Sequence, residues 1–187
     1  MGLTDYLAQQ FPVINAHWDE VQSRFTAKKV PAGTTLLTEG DVATNLYFIL
    51  SGAARLSHSS ADREITLQFF FENQIVASFE SFYLNQPSGF ALTCFEASDL
   101  LVLSKTDFAW LRQTYPELEP EVPRFVCERF ITYRKILFNQ LEQSPVERYQ
   151  NLVENEPEIL DRVPLHLVAS YLGITPVSLS RIRARLK

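Results

Sequence analysis

Arg181, Arg183, Arg185 and Lys187 crowd the end of the chain, and no aspartate or glutamate occurs between Pro164 and Lys187. A guanidinium can donate two parallel hydrogen bonds to O6 and N7 of guanine, and it also pairs with phosphate oxygens. The chain as a whole carries a net charge of −5. The basic segment is therefore a local surface, not a general coat for nucleic acid.

To present such residues to DNA, the chain must hold them on an exposed helix. The string PLHLVASYLGITPVSLSRIRARLK supplies that as two short helices around a turn. The first runs from about Pro164 to Leu172, with Val168, Ala169 and Leu172 on its buried side. Gly173 ends it in the left-handed conformation that closes many helices, and Ile174 plugs the corner. Thr175 caps the second helix and Pro176 occupies its first position. At about 100° per residue, Leu179, Ile182 and Leu186 share the inward face, and Val177, Ser180, Arg181 and Ala184 share the outward one. Arg181 is the base-reading candidate. Ser178 and Arg185 lie on the flank, where phosphate contact is natural, as it is for Thr175 at the helix N-terminus. Arg183 falls nearer the core side. His166, near the start of the first helix, is a further phosphate candidate or simply a solvated residue.

Upstream, the texture fits a different architecture. With 187 residues, 46% hydrophobic and 21% charged, the chain can bury one substantial core and a small second unit. Leu3, Leu7, Phe11 and Ile14 have helical spacing, broken at Pro12, which reads as one or two short helices packed on a neighbouring domain. From Phe25 to about Ser104, short apolar runs alternate with turns at Gly33, Gly40-Asp41, Ser51-Gly52 and Ser59 to Asp62, the pattern of a β jelly roll. Leu46 to Leu50 is apolar at every position, so that strand is expected to be buried on both faces. Thr106 to Tyr115 reads as a helix capped by Thr106 and ended by Pro116.

A longer helix is expected from about Pro123 to Gln143. Val126, Phe130, Tyr133, Leu137 and Leu141 form one apolar stripe, and Cys127, Ile131 and Phe138 a second beside it. One stripe suffices to dock a helix on its own domain. Two imply a further partner, for which a twin helix in a dimer serves, although burial within a monomer would also use them. Ser144-Pro145-Val146-Glu147 then starts another helix with Ser at the N-cap and Glu at N3.

Other chemistries lack their residues. Two cysteines, Cys94 and Cys127, cannot form a disulfide framework or a four-cysteine cluster, and His17, His58 and His166 are scattered. No metal or cofactor is expected. There is no nucleophile elbow, zinc-protease helix or phosphate-binding Walker loop, so the reading is not an enzyme. No apolar run is long enough for a membrane span. The opening MGLTDYLAQQFP lacks a basic stretch, so no signal peptide is expected and the cytoplasm is the default setting.

In this order of parts the chain resembles the CRP/FNR family of bacterial transcription regulators. VPAGTTLLTEGDVATNLYFILSGAARL is similar to the family's opening strands, including Gly33, Gly40 and Gly52. FEASDLLVLSKTDFAWL resembles its last strands and following helix, and VASYLGITPVSLSRIRARL its DNA-reading unit. The resemblance implies an α+β protein: a cyclic-nucleotide-binding-like jelly roll over residues 1–118, a dimerisation helix over 119–143 and a helix-turn-helix domain over 144–187. It implies a homodimer on near-palindromic DNA, working with RNA polymerase.

Three departures matter. The family's nucleotide binders carry a Gly-Glu pair that holds the ribose and a downstream Arg-Ser that holds the cyclic phosphate. The stretch here is Ala77-Ser78-Phe79-Glu80-Ser81 and then Gln86-Pro87-Ser88-Gly89. Glu80, Ser81, Ser88 and Gly89 are the effector-pocket candidates, but no Arg or Lys occurs between Arg63 and Lys105. A buried phosphate without a guanidinium loses its charge-assisted partners, so cyclic AMP is not expected to bind in the family's mode. Val177 stands where relatives often place a cytosine-reading Glu. The sequence also stops at Lys187, short of the β-hairpin wing that relatives carry. Two readings stay open at this point. One is a dimeric DNA-binding regulator with an unknown small effector. The other is a ligand-binding or protein-interaction module whose helix-turn-helix no longer binds DNA.

Overall fold

The computed structural model describes residues 3–60 and 63–186. Lys187, the middle of the turn at Ser59 to Asp62, and the side chain of Leu3 lie outside the described residues. Three short helices open the chain: α1 (Leu3–Gln10), α2 (Pro12–Ala16) and α3 (Trp18–Val21). Eight strands follow: β1 (Phe25–Val30), β2 (Thr35–Leu37), β3 (Asn45–Ser51), β4 (Ala54–Ser59), β5 (Glu64–Phe70), β6 (Ile75–Val76), β7 (Ala91–Cys94) and β8 (Ser98–Ser104), with helix α4 (Phe79–Leu84) between β6 and β7. They pair antiparallel in two four-stranded sheets, ordered β1-β8-β3-β6 and β2-β7-β4-β5. This is the expected jelly roll.

The all-apolar β3 has a direct explanation. Tyr47 and Ile49 point between the sheets, into a core with Leu56, Phe70, Leu92 and Leu100. Leu46 and Phe48 point the other way, into a second core built with Leu7, Phe11, Ile14, Phe108 and Phe125. The sheet is covered on both sides at Leu46 to Ile49, so this stretch of β3 carries no charged residue. Leu50 departs from the expectation. It is exposed, because the β3–β8 register shifts between Ile49 and Ser51 and lifts it out of the sheet. Gly52 follows at φ +88°, and a Cβ there would collide with the carbonyl of Ala97.

Helix α5 (Lys105–Thr114) is capped by Ser104 and not by Thr106: Ser104 Oγ accepts from Asp107 N at 3.0 Å. Then come α6 (Glu121–Glu142), α7 (Pro145–Asn155), α8 (Pro157–Arg162), α9 (Leu165–Tyr171) and α10 (Pro176–Arg185). The Ser144–Glu147 capping box is present. Helix α8 has no counterpart among the elements expected from the sequence.

The docking side of α6 differs from the expected stripes. Val122 and Phe125 are buried in the second core, and Arg129, Tyr133 and Ile136, which continue along that side, are half-buried. Arg129 donates to Gln68 Oε1 at 2.7 Å and lies over the Phe70 and Tyr133 rings. Tyr133 therefore lies with the inner side and not with the exposed outer stripe. Val126, Phe130, Ile131, Leu137, Phe138 and Leu141 remain exposed, Phe130 at 66% and Leu141 at 73%.

The helices α7 to α10 build a third core around Leu152, Ile159, Val168, Leu172 and Leu179, and Phe69 of β5 belongs to it. The terminal unit is thus seated on the jelly roll. Strand β5 is a sheet edge, and Ser170 of α9 covers it. Its Oγ accepts from Thr66 N at 2.9 Å and donates to Glu64 O at 2.8 Å. An edge strand left bare would offer these groups to another chain.

Candidate nucleic-acid interface and effector cavity

Gly173 shapes the corner between α9 and α10. It adopts φ +68°, Ile174 N donates to Ala169 O at 3.0 Å and Gly173 N to Ser170 O at 3.1 Å. These are the two hydrogen bonds of a Schellman motif. The carbonyls of Tyr171 and Leu172, which the helix cannot satisfy itself, are taken by side chains from outside. Gln140 Nε2 donates to Tyr171 O at 2.8 Å, and Arg148 donates to Leu172 O at 2.9 Å and to Gln143 O at 2.7 Å. Gly173→Ala is expected to destabilise the protein by about 1–2 kcal/mol, the cost of a left-handed non-glycine residue. For a chain of this size that lowers the thermal midpoint by roughly 2–8 °C, measurable by circular dichroism.

Thr175 caps α10, accepting from Ser178 N at 3.1 Å. Leu179 and Ile182 are buried. Leu186 is not: it is 44% exposed at the C-cap, beyond the last helical turn that the third core grips. Val177, Ser180, Arg181, Ala184 and Arg185 are all exposed, and Ser178 and Arg183 are half-buried. Ser180 Oγ is turned back onto Pro176 O at 3.0 Å. Thr175 and Pro176 are exposed at the N-terminal end of the same helix. One surface therefore gathers every predicted DNA residue except His166. That side chain is exposed but lies near Glu64, on the side where α9 meets the jelly roll. Burial pushes Glu64 up, yet hydrogen bonds from Arg55 and Ser57 outweigh it and hold its carboxyl below the usual range.

The effector candidates divide. Ser81 and Ser88 are buried and fully engaged. Ser81 Oγ accepts from Ala43 N at 2.9 Å and donates to Gln86 O at 2.6 Å; Ser88 Oγ bonds Phe90 O at 2.7 Å and Ser78 Oγ at 2.8 Å. Gly89 is exposed and its carbonyl meets His58 Nδ1 at 3.1 Å. Only Glu80 of the four lines the large cavity, of about 580 Å³, that opens between the jelly roll, α6 and α9. The other walls include Arg63, Tyr133, Gln140 and Ser170, none of which sequence spacing singles out as a ligand residue. They come from three distant stretches of chain, so only folding brings them together.

One further residue has no counterpart among the sequence expectations. Arg162 of α8 spends its whole guanidinium on carboxylates: Glu72 at 2.7 and 3.0 Å, Glu96 at 2.6 and 3.2 Å, and Glu158 at 2.6 Å. Glu72 also accepts from Gly52 N at 2.8 Å. Hydrogen bonds from Arg162 hold the Glu72 carboxyl below its usual range. Glu72 and Glu96 belong to the jelly roll, so this pairing bolts α8 onto it.

The fold is thus a two-sheet jelly roll followed by a long helix with an apolar outer face and a terminal helix-turn-helix. Residues 27–115 match the family model for the cyclic nucleotide-binding domain. The structural neighbours of the chain are transcription regulators of the CRP/FNR family. Among them is CLP of Xanthomonas campestris, described as a c-di-GMP responsive global regulator, with a TM-score of 0.72 at 20% identity over 91% of this chain and 90% of that one. The catabolite activator protein of Thermus thermophilus gives 0.61 at 19% identity over 97% and 86%. FixK2 of Bradyrhizobium japonicum gives 0.74 at 13% over 87% and 84%. At these identities the likeness is one of fold. No curated protein sequence matches the chain. Among the described residues, no helix is long and apolar enough to cross a membrane.

Proposed function

We propose that this protein is a transcription regulator that binds near-palindromic DNA as a homodimer in the cytoplasm, where RNA polymerase is its working partner. Residues 1–118 serve as sensor, 119–143 as dimerisation helix and 144–187 as DNA reader. The observation that carries this reading is the α10 surface. Arg181 and Arg185 stand exposed on a capped helix, and neither makes an ion pair or side-chain hydrogen bond among the described residues. Structural arginines on this chain behave otherwise, as Arg55, Arg148 and Arg162 do. The exposed apolar residues of α6, from Val126 to Leu141, support a twin helix as partner, since a monomer rarely leaves so contiguous a patch in water. Neighbours such as CLP, named for its response to c-di-GMP, support control by a small molecule. Ser88 is bonded to Ser78 and Phe90, and no Arg or Lys occurs between Arg63 and Lys105, which argues against cyclic AMP in the family's mode.

The test is binding to a randomised duplex pool at rising salt. The expected result is enrichment of a two-fold symmetric sequence, with affinity falling steeply between about 50 and 200 mM salt as counterions are released. Failure to bind any duplex at low salt would overturn this reading in favour of a protein-interaction module.

A further inference from the structure

We propose that the 580 Å³ cleft between β5, α6 and α9 is the receptor site for a small apolar molecule bearing one anionic head group. Its volume falls in the range of about 300–1,000 Å³ typical of small-molecule sites. Leu56, Ile65, Leu67, Phe90, Ile136 and Tyr171 supply a mainly apolar wall, which favours hydrocarbon or aromatic surface over a sugar or a base edge. Burial pushes the Tyr171 phenol well above its usual range, so this wall stays neutral.

The charge of the head group follows from the rim. Arg63 and Glu80 are the two charged residues lining the cleft. Glu80 already accepts a hydrogen bond from Ser78 Oγ at 2.8 Å. The Arg63 side chain has no such partner among the described residues, and its five donors suit a carboxylate or similar anion. A cyclic nucleotide fits less well, because its ribose and base would face the apolar wall.

The third wall gives the site a consequence. Ser170, Tyr171 and Gly173 of the helix-turn-helix line the cleft directly. Gln140, another lining residue, holds the Tyr171 carbonyl at 2.8 Å. An occupant therefore touches the jelly roll, the long helix and the DNA-reading unit at once. Any preference it has for one seating of α9 changes DNA affinity, and DNA changes its affinity by the same factor. This coupling, but not the binding itself, rests on the DNA-binding reading above.

The test uses the full chain and 1-anilinonaphthalene-8-sulfonate, an apolar dye with one sulfonate. Dye fluorescence should rise on binding and be displaced by dodecanoate, with dodecanol and cyclic AMP about tenfold weaker or worse. Ile65→Trp, which fills the cleft, should weaken the dye about tenfold. Arg63→Ala alters an exposed side chain that supports no packing, and it should erase the advantage of dodecanoate over dodecanol. Dye binding unchanged in Ile65→Trp, an unchanged dodecanoate advantage in Arg63→Ala, or stronger competition by cyclic AMP would each overturn the proposal. Dodecanoate should also shift the affinity for the selected duplex in the wild-type chain and leave it unshifted in Ile65→Trp. Should the chain bind no DNA, the dye titration still decides the ligand site, so the two readings fail separately.

Discussion

Arg181→Ala will flatten the sequence preference of the protein at one base step by about 1–3 kcal/mol, the discrimination of a bidentate guanidinium–guanine contact. The physical basis is the isolation of this side chain. It stands on the outward face of α10, exposed and without an ion-pair or hydrogen-bond partner among the described residues, while Leu179 and Ile182 anchor the opposite face in the third core. Because no structural hydrogen bond is lost, the thermal midpoint should stay put. Competition binding with the selected duplex and single-base variants measures the effect. A uniform loss across all duplexes would make Arg181 a phosphate contact. Val177, 60% exposed on the same face, offers no polar atom, so its contribution is limited to contact with a thymine methyl.

Arg162→Ala will release the terminal helix-turn-helix unit from the jelly roll. The substitution leaves Glu72 and Glu96 facing each other without the cation that both hydrogen-bond. Breaking a fully buried pair costs roughly 3–5 kcal/mol. This guanidinium is 26% exposed, so about 2–3 kcal/mol is expected, allowing for water around the freed carboxylates. Hydrogen exchange should speed up across α8 to α10 more than within the sheets. The same contact sets a pH dependence. Glu72 has a folded pKa below its unfolded value, so its contribution is complete above the ordinary carboxylate range and is lost as pH falls through the lower folded value. The wild-type chain should therefore lose docking stability on acidification, and Arg162→Ala should lose much less. Equal acid sensitivity in the two chains would remove Arg162 from this role.

Much of the architecture is legible in the sequence because it is encoded locally. The alternation of short apolar runs and turns announces the jelly roll. Ser144 with Glu147, Gly173 and Thr175 mark helix ends through side-chain and backbone geometry that needs only a few neighbouring residues. The outward face of α10 is similarly readable, since helical phase alone separates Leu179 and Ile182 from Arg181. Leu186 shows where that reasoning stops. Phase puts it inward, but the third core does not extend to the helix end. Tyr133 is a second case. Its spacing fits the outer stripe, but it lies at the border of the inner side beside Arg129 and Ile136, where Arg129, held by Gln68 of β5, covers its ring. Thr106 is a third, displaced as a cap by Ser104 two residues earlier.

The effector region is where sequence and tertiary structure part most clearly. Glu80, Ser81, Ser88 and Gly89 lie close in sequence and resemble a ligand cassette. Folding turns the two serines onto neighbouring backbone and onto Ser78, and leaves Glu80 alone at the cavity. The cavity itself is assembled from β4, β5, α6 and α9, and the Arg162 bolt from α8 and two separate turns of the jelly roll. By itself the sequence determined the run of short strands, the helix ends at Ser144, Gly173 and Thr175, and which face of the last helix carries its cations. Those properties depend on residues a few positions apart. Tertiary structure alone decided that the terminal helix-turn-helix rests on the edge of the jelly roll and shares a cleft with it. Contacts between residues up to 106 positions apart, as from Ser170 to Glu64, leave no periodic trace in the chain that makes them.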